Sequence, residues 1–184
     1  MKYCVEKPEP SLLLKPVGEW DGNPPFEFVI SGRSDSDYVK DRDTGRSLSR
    51  TSTFLSGSPI HRRSNTQTSV TLSVTEAKLV AATQCAQDML FAMRVVESMG
   101  LKVKKPMILE IDNKGAVDLT HNWSVGGRTR HAEVRQYFLR DLKEDGVIWS
   151  KWISGDSNSS DLFTKNLGGP LFEKHTSTYC GDFG

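Results

Sequence analysis

Met107-Ile108-Leu109-Glu110-Ile111-Asp112 decides the fold class of this chain. Four of its first five residues are apolar, the mark of a mostly buried strand rather than a half-solvated one. The run ends on a carboxylate, and Asn113 behind it suits the N-cap of a short helix over 114–120. On the N-terminal side, residues 73–99 hold the strongest helical pattern. Ser73-Val74-Thr75-Glu76 reads as a capping box, with Ser73 as N-cap and Glu76 three residues on. Leu79, Val80, Ala86, Leu90, Met93 and Val96 recur at helical spacing, and Gly100 suits the position past the end. A long helix feeding a buried strand predicts an α/β crossover and a parallel strand pair.

Further out, Phe26-Glu27-Phe28-Val29-Ile30 reads as a strand, and residues 31–37 have the composition of a loop. Residues 51–55 and 59–62 flank Ser56-Gly57-Ser58 and predict a hairpin. Val70-Thr71-Leu72 suggests a third strand. Downstream come a helix over about 128–144 and a strand over 147–153. A turn at 155–159 and a short helix over 160–167 follow, before Gly168-Gly169-Pro170. Trp149 and Trp152 are expected to pack in the core. The expected architecture is α/β, a mixed sheet with antiparallel first strands and flanking helices. Residues 1–25, with five prolines, read as a linker, 26–170 as the folded domain, and 171–184 as a tail expected to be mobile.

The chain has 184 residues, 24 basic and 23 acidic, and a net charge of +1. That balance excludes a histone-like polycation but not a local basic face for nucleic acid. Three cysteines, Cys4, Cys85 and Cys180, form no CxxC pair, so neither a disulfide framework nor a thiolate zinc site is legible. No apolar run approaches about 18 residues, so no transmembrane helix is expected, and the first residues lack the apolar core of a signal peptide.

Four carboxylates fall at element ends: Asp35 after the first strand, Glu76 in the first helical turn, Asp112 at the end of the buried strand, and Asp161 at the start of the last short helix. In open α/β sheets, ligands gather at the carboxyl ends of strands. Carboxylates converging there repel strongly, and a divalent cation with oxygen ligands relieves the repulsion. Each residue also has a plainer reading: Glu76 completes the capping box, Asp161 suits a helix N-terminus, and Ser73 and Asn113 are caps.

Five blocks in order resemble the ribonuclease H domain of copia-type retrotransposon polyproteins, over about residues 30–170. Ser34-Asp35-Ser36-Asp37-Tyr38 is similar to that family's Asp-Ala-Asp-Trp segment, and Leu72-Ser73-Val74-Thr75-Glu76-Ala77 to its Leu-Ser-Ser-Thr-Glu-Ala block. Ile111-Asp112-Asn113-Lys114-Gly115-Ala116 is similar to Cys-Asp-Asn-Gln-Ser-Ala. Arg128-Thr129-Arg130-His131-Ala132-Glu133-Val134-Arg135-Gln136-Tyr137-Phe138 and Ser160-Asp161-Leu162-Phe163-Thr164-Lys165 are similar to the remaining two. The resemblance implies a ribonuclease H-like fold and cleavage of the RNA strand of RNA–DNA hybrids by two Mg²⁺ ions, with Mn²⁺ as substitute. It makes Asp35, Glu76, Asp112 and Asp161 the catalytic, metal-binding carboxylates. It places Ser73, Asn113, Arg128, Arg130, His131 and Arg135 toward the hybrid, whose recognition rests on shape, phosphates and 2′-hydroxyls. The implied partner is the reverse transcriptase domain of the same polyprotein, with no membrane involved, and the implied location is the cytoplasm, virus-like particles included.

Several positions depart from the family pattern. Arg50 stands where a glycine is usual, Lys78 replaces the second Glu of Glu-Ala-Glu, Tyr38 replaces Trp, and Gly155 falls where Pro is usual. None of these removes one of the four carboxylates. A decayed or repurposed, non-catalytic copy that binds nucleic acid is the alternative. A transposase- or integrase-like enzyme is a third reading, disfavoured because those generally use three acidic residues.

Overall fold

The computed structural model describes residues 26–122, 130–159 and 168–180. In chain order its elements are β1 (Glu27–Asp37), β2 (Leu48–Leu55), β3 (Ser58–Thr66), α1 (Val74–Ser98), β4 (Lys102–Ile111), α2 (Lys114–His121), α3 (Arg130–Glu144), β5 (Ile148–Trp152), a 3₁₀ turn (Gly155–Ser157) and α4 (Gly169–Cys180). The strands form one sheet in the order β3-β2-β1-β4-β5. β1, β2 and β3 are antiparallel neighbours, while β1–β4 and β4–β5 run parallel. The mixed α/β architecture is therefore the one expected.

The largest departure from the sequence reading is β1. Residues 31–37 are strand rather than loop, pairing with β2 as far as Asp37↔Leu48 and with β4 as far as Ser34↔Ile111. A central strand satisfies its backbone on both sides, which overrides the poor strand propensity of Ser, Gly and Asp. Asp35 thus lies inside the sheet. The hairpin also begins earlier than expected, at Leu48, and turns on Ser56 and Gly57, both at positive φ (45° and 84°), as a two-residue hairpin turn requires. Val70-Thr71-Leu72 is not a strand. There the chain is leaving the sheet: buried Gln67 donates to Ser49 Oγ (2.9 Å) and to the Ala77 carbonyl (3.0 Å), swinging it into α1.

α1 lies across the sheet, and its core stripe meets Ile30, Met107, Leu109, Ile111 and Ile148. The approach is close at Gly32, where a Cβ would stand 2.5 Å from Met89 Sδ and 2.7 Å from Cys85 Sγ. Gly32→Val should therefore cost about 1–3 kcal/mol through overpacking, read as a lower urea midpoint. An unchanged midpoint would show that α1 can retreat at no cost. α2 ends against α3, whose Gln136 and Arg140 each donate to the Leu119 carbonyl at 3.1 Å while Lys143 donates to that of His121 at 3.1 Å. These donors satisfy carbonyls that the end of α2 leaves without intrahelical partners. Trp149 and Trp152, expected in the core, are instead about half exposed on edge strand β5, with Lys143 over the first ring and Lys114 over the second.

A helix occupies 169–180, where a mobile tail was expected. Among the described side chains of this helix His175 is the buried one, with Nε2 unpartnered. Burial, then the positive charges of Lys174 and Arg33, hold the imidazole below its ordinary range, against the opposing pull of Asp156. The folded state therefore binds this proton more weakly than the unfolded chain. The stability linked to His175 is intact above the unfolded value of about 6.5 and is lost as pH falls through it toward the folded one. Urea midpoints should drop less between about pH 7 and 5 in His175→Gln than in the parent. Parallel curves would exclude this role.

Candidate active site

Asp35 and Asp112 meet at the carboxyl ends of β1 and β4, but not as an open pair. In the β1–β2 register Asp35 faces Arg50, whose Nη1 donates to Asp35 Oδ2 at 2.7 Å; both side chains are 0% exposed. Arg50 Nη2 also reaches Asp37 Oδ2 at 3.3 Å. The other oxygen of Asp35 takes the Lys78 ammonium, which donates as well to Asp112 Oδ2 at 2.8 Å. Lys78 thus sits between the two aspartates.

Helical phase explains why it is Lys78. It lies on the inward stripe of α1 with Ala82, Cys85 and Met89, all buried. Glu76, two residues earlier, is turned about 200° away. Its carboxylate accepts the Leu72 amide at 2.8 Å, while Ser73 Oγ accepts the Glu76 amide at 3.1 Å. That is a capping arrangement, with the Glu76 contact displaced by one residue from the expected box. Asn113 likewise caps α2, its Oδ1 accepting the Ala116 amide at 2.8 Å. The structure brings Asp35 and Asp112 together and leaves Glu76 out of their group.

The electrostatics follow from this placement. Burial pushes the Asp112 carboxyl up, Lys78 pulls it back and Asp35 pushes it up again, leaving it above the usual carboxylate range. Burial pulls the Lys78 ammonium down, but Asp35 and then Asp112 outweigh it, so the lysine stays charged. A divalent cation needs several carboxylate oxygens free to bind it. Three of the four in this pair already take donors from Arg50 or Lys78. The fourth, Asp112 Oδ1, is buried and unpartnered. Among the described residues no three His, Cys, Asp or Glu side chains are placed to hold a metal. Asp35 and Asp112, held in this way, do not fit the Mg²⁺ pair that the resemblance implies; the fourth implied carboxylate, Asp161, lies outside the described residues.

Asp161 and Arg128 lie outside the described residues, as do the side chains of Arg130 and His131 in the first turn of α3. Arg135 is half-buried in α3. The segment leading toward Asp161 is tied to β1: Arg33 Nη1 donates to Ser159 Oγ at 2.7 Å, and Asn158 Nδ2 donates to the Ser34 carbonyl at 3.1 Å. On the site's rim, Trp152 pairs in register with Ile111, and Lys114 Nζ stands 4.7 Å from its ring centre. Sequence reasoning missed Arg50 and Lys78 as site residues. The signal for Lys78 was its phase with Ala82, Cys85 and Met89. Arg50 offered only its departure from the family's glycine before its register opposite Asp35 was visible.

The chain is 31% identical over 145 residues, 79% of its length, to the retrovirus-related Pol polyprotein from transposon TNT 1-94 of Nicotiana tabacum. It is 26% identical over 177 residues to the Pol polyprotein from transposon RE1 of Arabidopsis thaliana. It spans only 11% and 12% of these two relatives. No family model matches. Among solved structures, LC11-RNase H1 in complex with RNA/DNA hybrid superposes with a TM-score of 0.53 at 11% identity, covering 70% of this chain and 88% of that one. A second structure of LC11-RNase H1, isolated from compost, gives 0.50 at 12% identity, covering 71% and 88%. Among the described residues no helix is long and apolar enough to cross a membrane.

Proposed function

This chain is a ribonuclease H-fold relative of plant-transposon Pol polyproteins, and we propose that it is a nucleic-acid-binding module that holds RNA–DNA hybrid without cutting it. The observation that carries the reading is Lys78, which bridges Asp35 and Asp112 where hydrolysis would need a metal ion. Bare carboxylates at a strand end repel phosphate unless ions screen them. Here Lys78 and Arg50 supply that screening from within the chain. Hybrid binding is therefore independent of divalent ions. Arg128, Arg130, His131 and Arg135 supply the contacts to the sugar–phosphate backbone. In a Pol polyprotein the module works beside the reverse transcriptase portion, in the cytoplasm or a virus-like particle.

The hydrolytic reading, in which Asp35, Glu76, Asp112 and Asp161 hold two Mg²⁺ ions, has in its favour the meeting of Asp35 and Asp112. It has against it the lysine between them. Fluorescence anisotropy with a labelled hybrid, in EDTA and in Mg²⁺ or Mn²⁺, separates the two. The expected result is equal affinity in both, falling with salt, and an intact RNA strand. Metal-dependent cutting that Asp112→Asn abolishes would overturn the proposal. Absence of binding with the reverse transcriptase portion added in trans would remove its binding half.

A further inference from the structure

α1 has two apolar faces, and among the described residues only one is covered. Leu79, Ala82, Ala86, Met89, Met93 and Val96 form the face on the sheet. On the opposite side Phe91, Val95 and Met99 recur every four residues, exposed by 70%, 42% and 61%, and Leu101 just past the helix is 41% exposed. Single exposed apolar residues need no explanation, but a contiguous line of them marks a surface that something covers. The line from Phe91 to Met99 is about 12 Å long at 1.5 Å per helical residue.

What covers it is indicated by where the chain enters the fold. β1 begins beside the end of this line: Glu27 pairs with Lys102, the residue after Leu101. Phe26 is already in place, its ring edge-on to Phe28 at 4.9 Å. Residues 1–25 therefore join the domain next to Met99 and Leu101. They contain Leu12-Leu13-Leu14, the only run of three leucines in the chain. Twelve steps separate Leu14 from Phe26, a reach of about 40 Å when extended, several times the length of the line.

We propose that Leu12-Leu13-Leu14 of the chain's own N-terminal segment dock on the Phe91–Val95–Met99 face of α1. Docking brings the polypeptide that precedes the domain down along α1. This fixes the direction from which any upstream portion of a Pol polyprotein approaches the sheet. The inference does not depend on whether the Asp35–Asp112 site cuts, holds or ignores hybrid.

The test is methyl NMR on the whole chain. Nuclear Overhauser contacts are expected from leucine methyls of 12–14 to the Phe91 ring and the Met99 methyl, unchanged on tenfold dilution. Leu12→Asp, Leu13→Asp and Leu14→Asp together should remove them and shift the Val95 and Met99 methyls, with the rest of the spectrum unmoved. Phe91→Ser, at a solvent-facing position, should release the leucines in the same way. Three outcomes would overturn the proposal: no such contacts, α1 methyls indifferent to the leucine substitutions, or contacts seen between differently labelled copies in a mixed sample. The last would assign the face to a second copy of the chain.

Discussion

Lys78→Glu combined with Arg50→Gly will give the chain a divalent-cation affinity that its parent lacks. The first change turns the ammonium between Asp35 and Asp112 into a third carboxylate. The second clears the guanidinium from the far oxygen of Asp35. Three carboxylates with no internal cation repel one another at a largely buried site, so the variant without metal should be less stable than the parent. Mg²⁺ or Mn²⁺ should restore that loss. An ion at a hundred times its Kd contributes about 2.7 kcal/mol, which for a domain of this size raises the thermal midpoint by about 5–10 °C. The parent's midpoint should not respond to the same ions, and EDTA should reverse the gain in the variant. A parent that responds as strongly as the variant would show that Lys78 does not stand in the way of a metal. A variant that folds but ignores both ions would show that removing the two cations is not enough.

Asp35→Ala should be the most damaging single substitution at the site. It leaves the fully buried Arg50 guanidinium without its 2.7 Å partner and takes from Lys78 one of its two carboxylates. Removing one member of a buried charge pair typically costs about 3–5 kcal/mol, because the charge left behind keeps its desolvation penalty. A contrasting variant separates charge from packing. Asp35→Leu, Arg50→Met and Lys78→Met made together leave only Asp112, whose carboxyl burial already favours in the neutral form, and the part-exposed Asp37, which keeps Lys40 at 3.0 Å. The triple variant should lie much closer to the parent than Asp35→Ala does. Urea denaturation of the three proteins measures this directly, and equal losses in both variants would show that volume rather than charge holds the site together.

Much of the fold was legible because local signals agreed with the tertiary outcome. Ser73 and Asn113 cap the helices their positions announced, and the apolar run through Ile111 is a parallel strand. The failures share a cause. Residues 31–37 look like a loop because their side chains are polar, yet being central in the sheet makes them strand. Helix α4 was hidden because Gly169 and Pro170, which open it, read as a stop signal for the segment before them. At the site, Asp112 was found because the end of its apolar strand is visible in sequence, and Asp35 because its motif block is conspicuous although its strand end is not. Glu76 was named because its motif block is conspicuous, although its side chain faces the cap. Lys78 was noted only as a departure from the family pattern, because a lysine near the start of a helix reads as surface, and only its phase with Ala82, Cys85 and Met89 turns it inward.

Asp35, Arg50, Lys78 and Asp112 come from four separate stretches of chain, and β1 reaches its parallel partner across long sequence separations, as in the Arg33–Glu110 pair 77 residues apart. As the polypeptide grows from its N-terminus, the β1–β2–β3 meander is made first and waits with one flank of its central strand uncovered until β4 arrives. Closing so long a loop is entropically slow, and Asp112 can meet Lys78 only after it has closed, whereas Arg50 and Asp35 already pair within the meander. The Lys78–Asp112 contact is thus a late-forming lock. Substitutions that weaken it will speed the opening of the finished domain far more than they slow its assembly.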